Sequence, residues 1–131
     1  MIETQQPPLA RPTEAFPAEP DPNSWRSLLI AYREGPRQLY APVILGLLES
    51  QIASTARRLR PPVPRLTDED IRQELVVRVL EASLDMPLSP DALWIPRRVM
   101  LRARKGVGRW LAKELREEAL SAFSLDAWDR S

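Results

Sequence analysis

The residue types that most often carry catalysis are absent from this sequence. The chain has no histidine and no cysteine. Histidine is the commonest general base and metal ligand, and cysteine supplies thiolate nucleophiles and zinc ligands. The remaining carboxylates lie on a predicted polar helix face, with no predicted cleft that would raise the pKa of one of them. We therefore expect no enzymatic activity, no metal site and no cofactor.

A basic segment is the strongest chemical signal in the chain. Residues 97–116 contain eight Lys or Arg residues and one acidic residue, Glu114. So many cations on one helix repel one another unless an anion lies nearby, and a DNA or RNA backbone supplies that anion through counterion release. A structural helix would interleave glutamates at a spacing of four. Nucleic-acid binding is therefore favoured over a merely solvated cationic face.

Two tryptophans accompany the basic segment, Trp94 before it and Trp110 within it. An indole ring beside arginines can stack on unpaired bases, whereas a core position is the alternative for either ring. The core is favoured for Trp110 because it adjoins Leu111 in the predicted apolar stripe, and the two alternatives are balanced for Trp94. We predict that these residues bind nucleic acid: Trp94, Arg97, Arg98, Arg102, Arg104, Lys105, Arg109 and Lys113.

An acidic segment precedes the basic one. Residues 67–96 contain seven Asp or Glu residues and two Arg residues. Thr67 and Asp70 have the spacing of a capping box, so part of this negative charge is explained by stabilisation of a helix N-terminus. A solvated surface helix is the default interpretation, but opposite charge in adjacent segments also indicates two surfaces for two kinds of partner. The candidate residues for binding a partner are Asp70, Gln73, Glu74, Val77 and Glu81.

Apolar residues at helical spacing predict the elements that position these segments. The first helix is capped by Asn23 or Ser24, and the second has Pro42 near its start and an apolar stripe that ends at Leu59. The third opens at Thr67, and the last runs to about Leu120. No period-two pattern of strand length is bounded by hairpin turns. The predicted fold is all-α, a compact bundle of about four helices.

The proline-rich start of the chain predicts a separate segment. Six prolines occur in residues 1–22 without apolar periodicity. We therefore predict a disordered tail over residues 1–23, a helical domain over residues 24–120 and a C-terminal tail over residues 121–131. No apolar run is long enough for a secretion signal or a membrane helix. The expected location is the cytoplasm.

The order of these features resembles region 2 of bacterial RNA polymerase sigma factors. Residues 66–82 read LTDEDIRQELVVRVLEA and resemble the acidic helix of that family. Asp70, Gln73 and Glu74 match its Asp-x-x-Gln-Glu motif, and Leu80 and Ala82 match its ending. Residues 94–116 resemble the basic helix that follows, and residues 40–59 resemble the first core helix. The resemblance covers about residues 36–118.

The resemblance implies a function and two partners. In the family, the acidic helix binds the coiled coil of the polymerase clamp. The basic helix and the loop before it bind the −10 promoter element and the melted non-template strand. The implied function is that of a sigma-like transcription regulator, which binds core RNA polymerase and promoter DNA.

Some features depart from the family pattern. Lys105 stands where the family carries an asparagine, Arg109 stands where it carries an aspartate, and Gly106 and Gly108 interrupt the basic helix. The sequence also lacks the second, helix-turn-helix domain, which predicts a short sigma-like protein. Two other interpretations stay open. One is an all-helical adaptor or inhibitor that binds no nucleic acid, and the other is a DNA-binding accessory protein of a mobile element.

Overall fold

Five helices follow one another in the computed structural model, which describes the backbone of residues 21–130 and the side chains of residues 21–123. This part of the chain contains no strand, and the predicted all-α bundle is confirmed. The predicted disordered tail falls on residues of which nearly all lie outside the described range. The helices are α1 Pro22–Glu34, α2 Arg37–Leu47, α3 Glu49–Arg58, α4 Asp68–Asp85 and α5 Ile95–Arg130.

The start of α1 differs from the prediction. Asp21 caps the helix: its side chain accepts a hydrogen bond from the Ser24 backbone N–H at 2.8 Å. This bond lowers the pKa of the Asp21 carboxyl, which is fully exposed. Pro22 occupies the first helical position, where its missing N–H costs nothing. Asn23 and Ser24, the predicted caps, therefore lie inside the first turn.

The second predicted helix is divided into α2 and α3 at Leu48. Its backbone there has φ −102° and ψ 6°, outside the helical range. The hydrogen bonds continue across the bend, since Leu48 donates to the Ile44 carbonyl at 3.1 Å and accepts from Ile52 at 2.8 Å. The Leu48 side chain is fully buried. The backbone N–H and carbonyl of Leu48 therefore stay hydrogen-bonded at the bend.

Buried residues of all five helices form the core, and α4 and the first half of α5 contribute the largest shares. α4 contacts each of the other four helices, and α5 most extensively. Ile71, Leu75 and Val79 on α4 are fully buried, as are Val99 and Val107 on α5. Burial on this scale is worth roughly 2 kcal/mol for each large side chain. This packing therefore fixes the position of α5, which carries the basic segment, relative to α4, which carries the acidic one.

Both ends of α4 are held by side chains. At the start, the Thr67 hydroxyl accepts from the Asp70 N–H at 3.1 Å and the Asp70 carboxylate accepts from the Thr67 N–H at 2.9 Å. This is the predicted capping box, and it is confirmed. At the end, Arg33 of α1 donates to the Ser83 carbonyl at 2.9 Å and to the Met86 carbonyl. Burial lowers the pKa of the Arg33 guanidinium, and Asp85 opposes this.

α5 is longer than predicted, because it continues to Arg130 instead of ending near Leu120. The predicted C-terminal tail therefore continues the helix as far as Arg130. Arg65, in the proline-rich loop, fastens α5 to the bundle through Glu114 at 2.6 Å and Glu118 at 3.0 Å. Hydrogen bonds to these two carboxylates raise the pKa of Arg65. No described helix is long and apolar enough to cross a membrane.

Candidate nucleic-acid interface

The buried side of α5 determines where its cations point. Ile95, Val99, Ala103 and Val107 are buried at a spacing of four residues and face the other helices. Side chains on the side of α5 away from this stripe therefore point outward. All eight cations of residues 97–116 are exposed, including every cation that the sequence predicted to bind nucleic acid. They are Arg97, Arg98, Arg102, Arg104, Lys105, Arg109, Lys113 and Arg116.

These cations lie on two sides of α5. Arg102, Lys105 and Arg109 line a groove with residues of α4. Helical spacing extends this row to Arg98 at one end and Lys113 at the other. Arg97 and Arg104 stand on the opposite side, and Arg97 lines a different groove beside α1. The longer row, on the side of α4, is the more continuous cationic surface.

The cations of α5 are scarcely neutralised. Only Arg102 has a salt bridge within residues 21–123, and its 3.7 Å distance to Asp85 joins two well-exposed side chains. Exposed pairs of this kind contribute between zero and about 1 kcal/mol. The α5 surface therefore carries strong positive charge, which an external polyanion can neutralise.

The two tryptophans have different surroundings. Trp94 is 70% exposed, whereas Trp110 is half-buried and packs against the core, as predicted. Trp94 has φ +60°, a left-handed conformation that bulky residues rarely adopt. Its carbonyl accepts the Arg98 N–H at 2.9 Å, which places this residue at the start of α5. The indole of Trp94 is therefore available to stack on a ligand.

Trp94 borders an open groove of about 600 Å³ between α1 and the start of α5. Trp25 and Met100 form part of its apolar lining, and Pro96 and Arg97 continue the wall from Trp94. Trp25 is almost completely buried, so it forms the floor of the groove rather than its rim. Arg97 contributes a guanidinium and Asp21 a carboxylate, so it is the aromatic wall of the groove that suits a flat ligand.

The predicted partner-binding residues of α4 are not equally available. Gln73, Val77 and Glu81 are exposed at a spacing of four on its outer side, and Val77 is 47% exposed. Asp70 is less available to a partner because its carboxylate accepts the Thr67 N–H in the capping box. Glu74 is half-buried and forms a salt bridge of 2.8 Å with Arg78. The outer surface of α4 is therefore smaller and less acidic than the sequence indicates.

Arg78 is a residue that the sequence analysis did not select. It lies on the acidic helix, yet its side chain packs against α5 at Gly106. A Cβ atom added at Gly106 would lie 3.0 Å from Arg78 Cδ, whereas nothing lies within 4 Å of the same position at Gly108. A glycine inside a helix is unfavourable, so Gly106 was the available signal of such a close approach.

Within the described residues, no group of three or more Asp and Glu side chains is arranged to hold a metal ion. Comparison of the chain with known protein families, with curated proteins and with solved structures finds no match.

Proposed function

We propose that this protein is a sigma-like transcription regulator that binds DNA through α5 and core RNA polymerase through α4. The eight exposed cations of residues 97–116 support DNA binding, because within the described residues only one of them forms a salt bridge, and that bridge is weak. Phosphate groups relieve their mutual repulsion and release condensed counterions. The resemblance to sigma region 2 supports both partners.

A binding measurement tests the DNA part. Replacing Arg98, Arg102 and Lys105 together by alanine removes about three phosphate contacts, which predicts roughly a hundredfold weaker binding of labelled DNA at about 0.1 M salt. Fluorescence anisotropy measures this directly. The matched control removes three exposed cations that lie on α2, on α3 and just after α3: Arg37, Arg57 and Arg60. Equal affinity of the two triple variants would contradict the proposal.

We further propose that the protein prefers single-stranded over duplex DNA, because the Trp94 indole is exposed and lines a groove with Arg97. Stacking on a base is worth about 1–3 kcal/mol, so Trp94→Ala is expected to weaken single-strand binding by roughly five- to a hundredfold. Duplex binding should change little. Leu93→Ala is the control, since Leu93 is the adjacent exposed apolar residue. A loss of equal size with both DNA forms would contradict the stacking role.

The outer side of α4 is proposed to bind core RNA polymerase. Val77 is the most informative position, because it is an exposed apolar residue between Gln73 and Glu81. Val77→Asp should reduce capture of core polymerase in a pull-down while costing about 0.5 kcal/mol or less in stability. Leu39→Asp, at an exposed leucine of α2, is the matched control. Wild-type capture by the Val77 variant would argue against this surface.

A second candidate function is an all-helical interaction module that binds no nucleic acid. It is favoured by two exposed apolar residues three positions apart on α5, Leu120 and Phe123. Exposed apolar residues close together often mark a protein interaction site. The DNA-binding measurement separates this module from the regulator, and the polymerase pull-down separates the regulator from an accessory DNA-binding protein.

A further inference from the structure

We propose that the groove between α4 and α5 is a phosphate site in which Arg78, from the acidic helix, binds the DNA backbone together with the cations of α5. This inference rests on the proposed DNA-binding function and adds a residue and a location to it. The groove is open and has a volume of about 350 Å³. Its charged lining consists of four cations and two carboxylates: Arg78, Arg102, Lys105, Arg109, Glu81 and Asp85.

Gly106 allows Arg78 to enter this groove. The residue is buried, and its missing side chain leaves the space that the Arg78 stem occupies. An alanine there would bring its Cβ to 3.0 Å from Arg78 Cδ, closer than ordinary van der Waals contact. The Arg78 stem would then have to shift by a few tenths of an ångström, which would move its guanidinium relative to Lys105 and Arg109.

The salt bridges of Arg78 orient it without using all of its donors. Arg78 Nε lies 2.8 Å from Glu74 and Arg78 Nη1 lies 3.4 Å from Glu81. A guanidinium has five N–H donors in a rigid fork, so donors remain for a phosphate oxygen. A side chain already held in place loses less conformational entropy when it binds a ligand.

The carboxylates of the groove act as internal counterions. Asp85 lies 3.7 Å from Arg102. Glu81 lies 3.4 Å from Arg78, farther than the other partner of Arg78, Glu74. Both pairs are long and partly exposed, so they hold their cations weakly. A phosphate makes shorter, charge-assisted hydrogen bonds to arginine and can replace them. Lys105 and Arg109 have no salt bridge within residues 21–123 and complete the site.

Two matched pairs of variants test the phosphate site with the full chain and labelled DNA. Arg78→Ala is compared with Arg72→Ala, because Arg72 lies on the same helix but lines a separate groove with Arg57. Loss of one phosphate contact predicts about fivefold weaker binding at about 0.1 M salt and a salt dependence smaller by roughly 0.7–0.9 in log–log slope. Arg72→Ala should bind DNA nearly as wild type does.

The second pair leaves Arg78 intact. Gly106→Ala should weaken DNA binding by less than the roughly fivefold expected for Arg78→Ala, because it shifts the Arg78 side chain by a few tenths of an ångström. Gly108→Ala meets nothing within 4 Å and should not weaken binding. Alanine favours helix formation, so the melting temperature of either variant is expected to be at least maintained. The proposal is overturned if Arg78→Ala and Gly106→Ala both bind DNA as their controls do while the α5 triple variant does not. If the triple variant also binds normally, the proposed function itself fails.

Discussion

α4 and α5 both carry many charges, but the structure uses those charges differently. On α4, Asp70 completes the capping box, and Glu74 and Glu81 share Arg78. On α5, only one of the eight exposed cations of residues 97–116, Arg102, forms a salt bridge within the described residues, and that bridge is weak. The difference teaches that the number of charges in a segment does not identify a binding surface. A charge is available to a ligand where the folded chain leaves it unpaired, pairs it only weakly or leaves some of its hydrogen-bond donors unused.

The largest expected effect concerns the end of α4, where Arg33 satisfies two carbonyls. Arg33→Ala leaves the Ser83 and Met86 carbonyls without this donor and should lower the free energy of unfolding by about 2 kcal/mol. Urea denaturation measures the change. Arg37→Ala, at an exposed position of α2, is the control and should change it by less than about 0.5 kcal/mol. Equal effects would show that Arg33 does not hold α4.

The start of α4 gives a smaller effect. Thr67→Ala removes the hydroxyl that accepts the Asp70 N–H and should cost about 1 kcal/mol of stability. Thr67→Ser keeps a hydroxyl at this position and should retain most of the stability. The same denaturation measurement applies. If both variants were equally stable, the capping box would not contribute to the fold.

The smallest change in the free energy of unfolding is expected for substitutions of the α5 cations. Replacing Arg98, Arg102 and Lys105 by alanine removes one weak salt bridge and relieves repulsion between neighbouring cations. The free energy of unfolding should therefore change by less than about 0.5 kcal/mol, or rise slightly. A loss above about 1 kcal/mol would mean that these cations stabilise the fold, against their assignment to ligand binding.

Local features of the fold could be predicted from the sequence. The capping box at Thr67 and Asp70 depends on residues three apart, so the sequence shows it. The outward direction of the α5 cations follows from Val99, Ala103 and Val107 at helical spacing. The half-buried position of Trp110 followed from its neighbour Leu111 in the same way.

Features that depend on packing between helices could not be predicted. Arg33 reaches Ser83 across 50 positions of sequence, and no pattern within α1 indicates that contact. The approach of Arg78 to Gly106 joins two segments that the sequence presents as acidic and basic. The sequence alone does not locate the cap of α1, because Asp21, Asn23 and Ser24 are all good caps and only the folded backbone identifies Asp21.

The salt dependence of DNA binding tests the central claim most directly. The association constant of a labelled oligonucleotide is measured at several salt concentrations for the wild type and for the Arg98, Arg102 and Lys105 triple variant. Each neutralised phosphate contributes roughly 0.7–0.9 to the slope of log K against log salt, so the variant slope should be smaller by about two to three. An unchanged slope would show that the cations of α5 only face solvent, and the interaction module without nucleic acid would then be the better explanation.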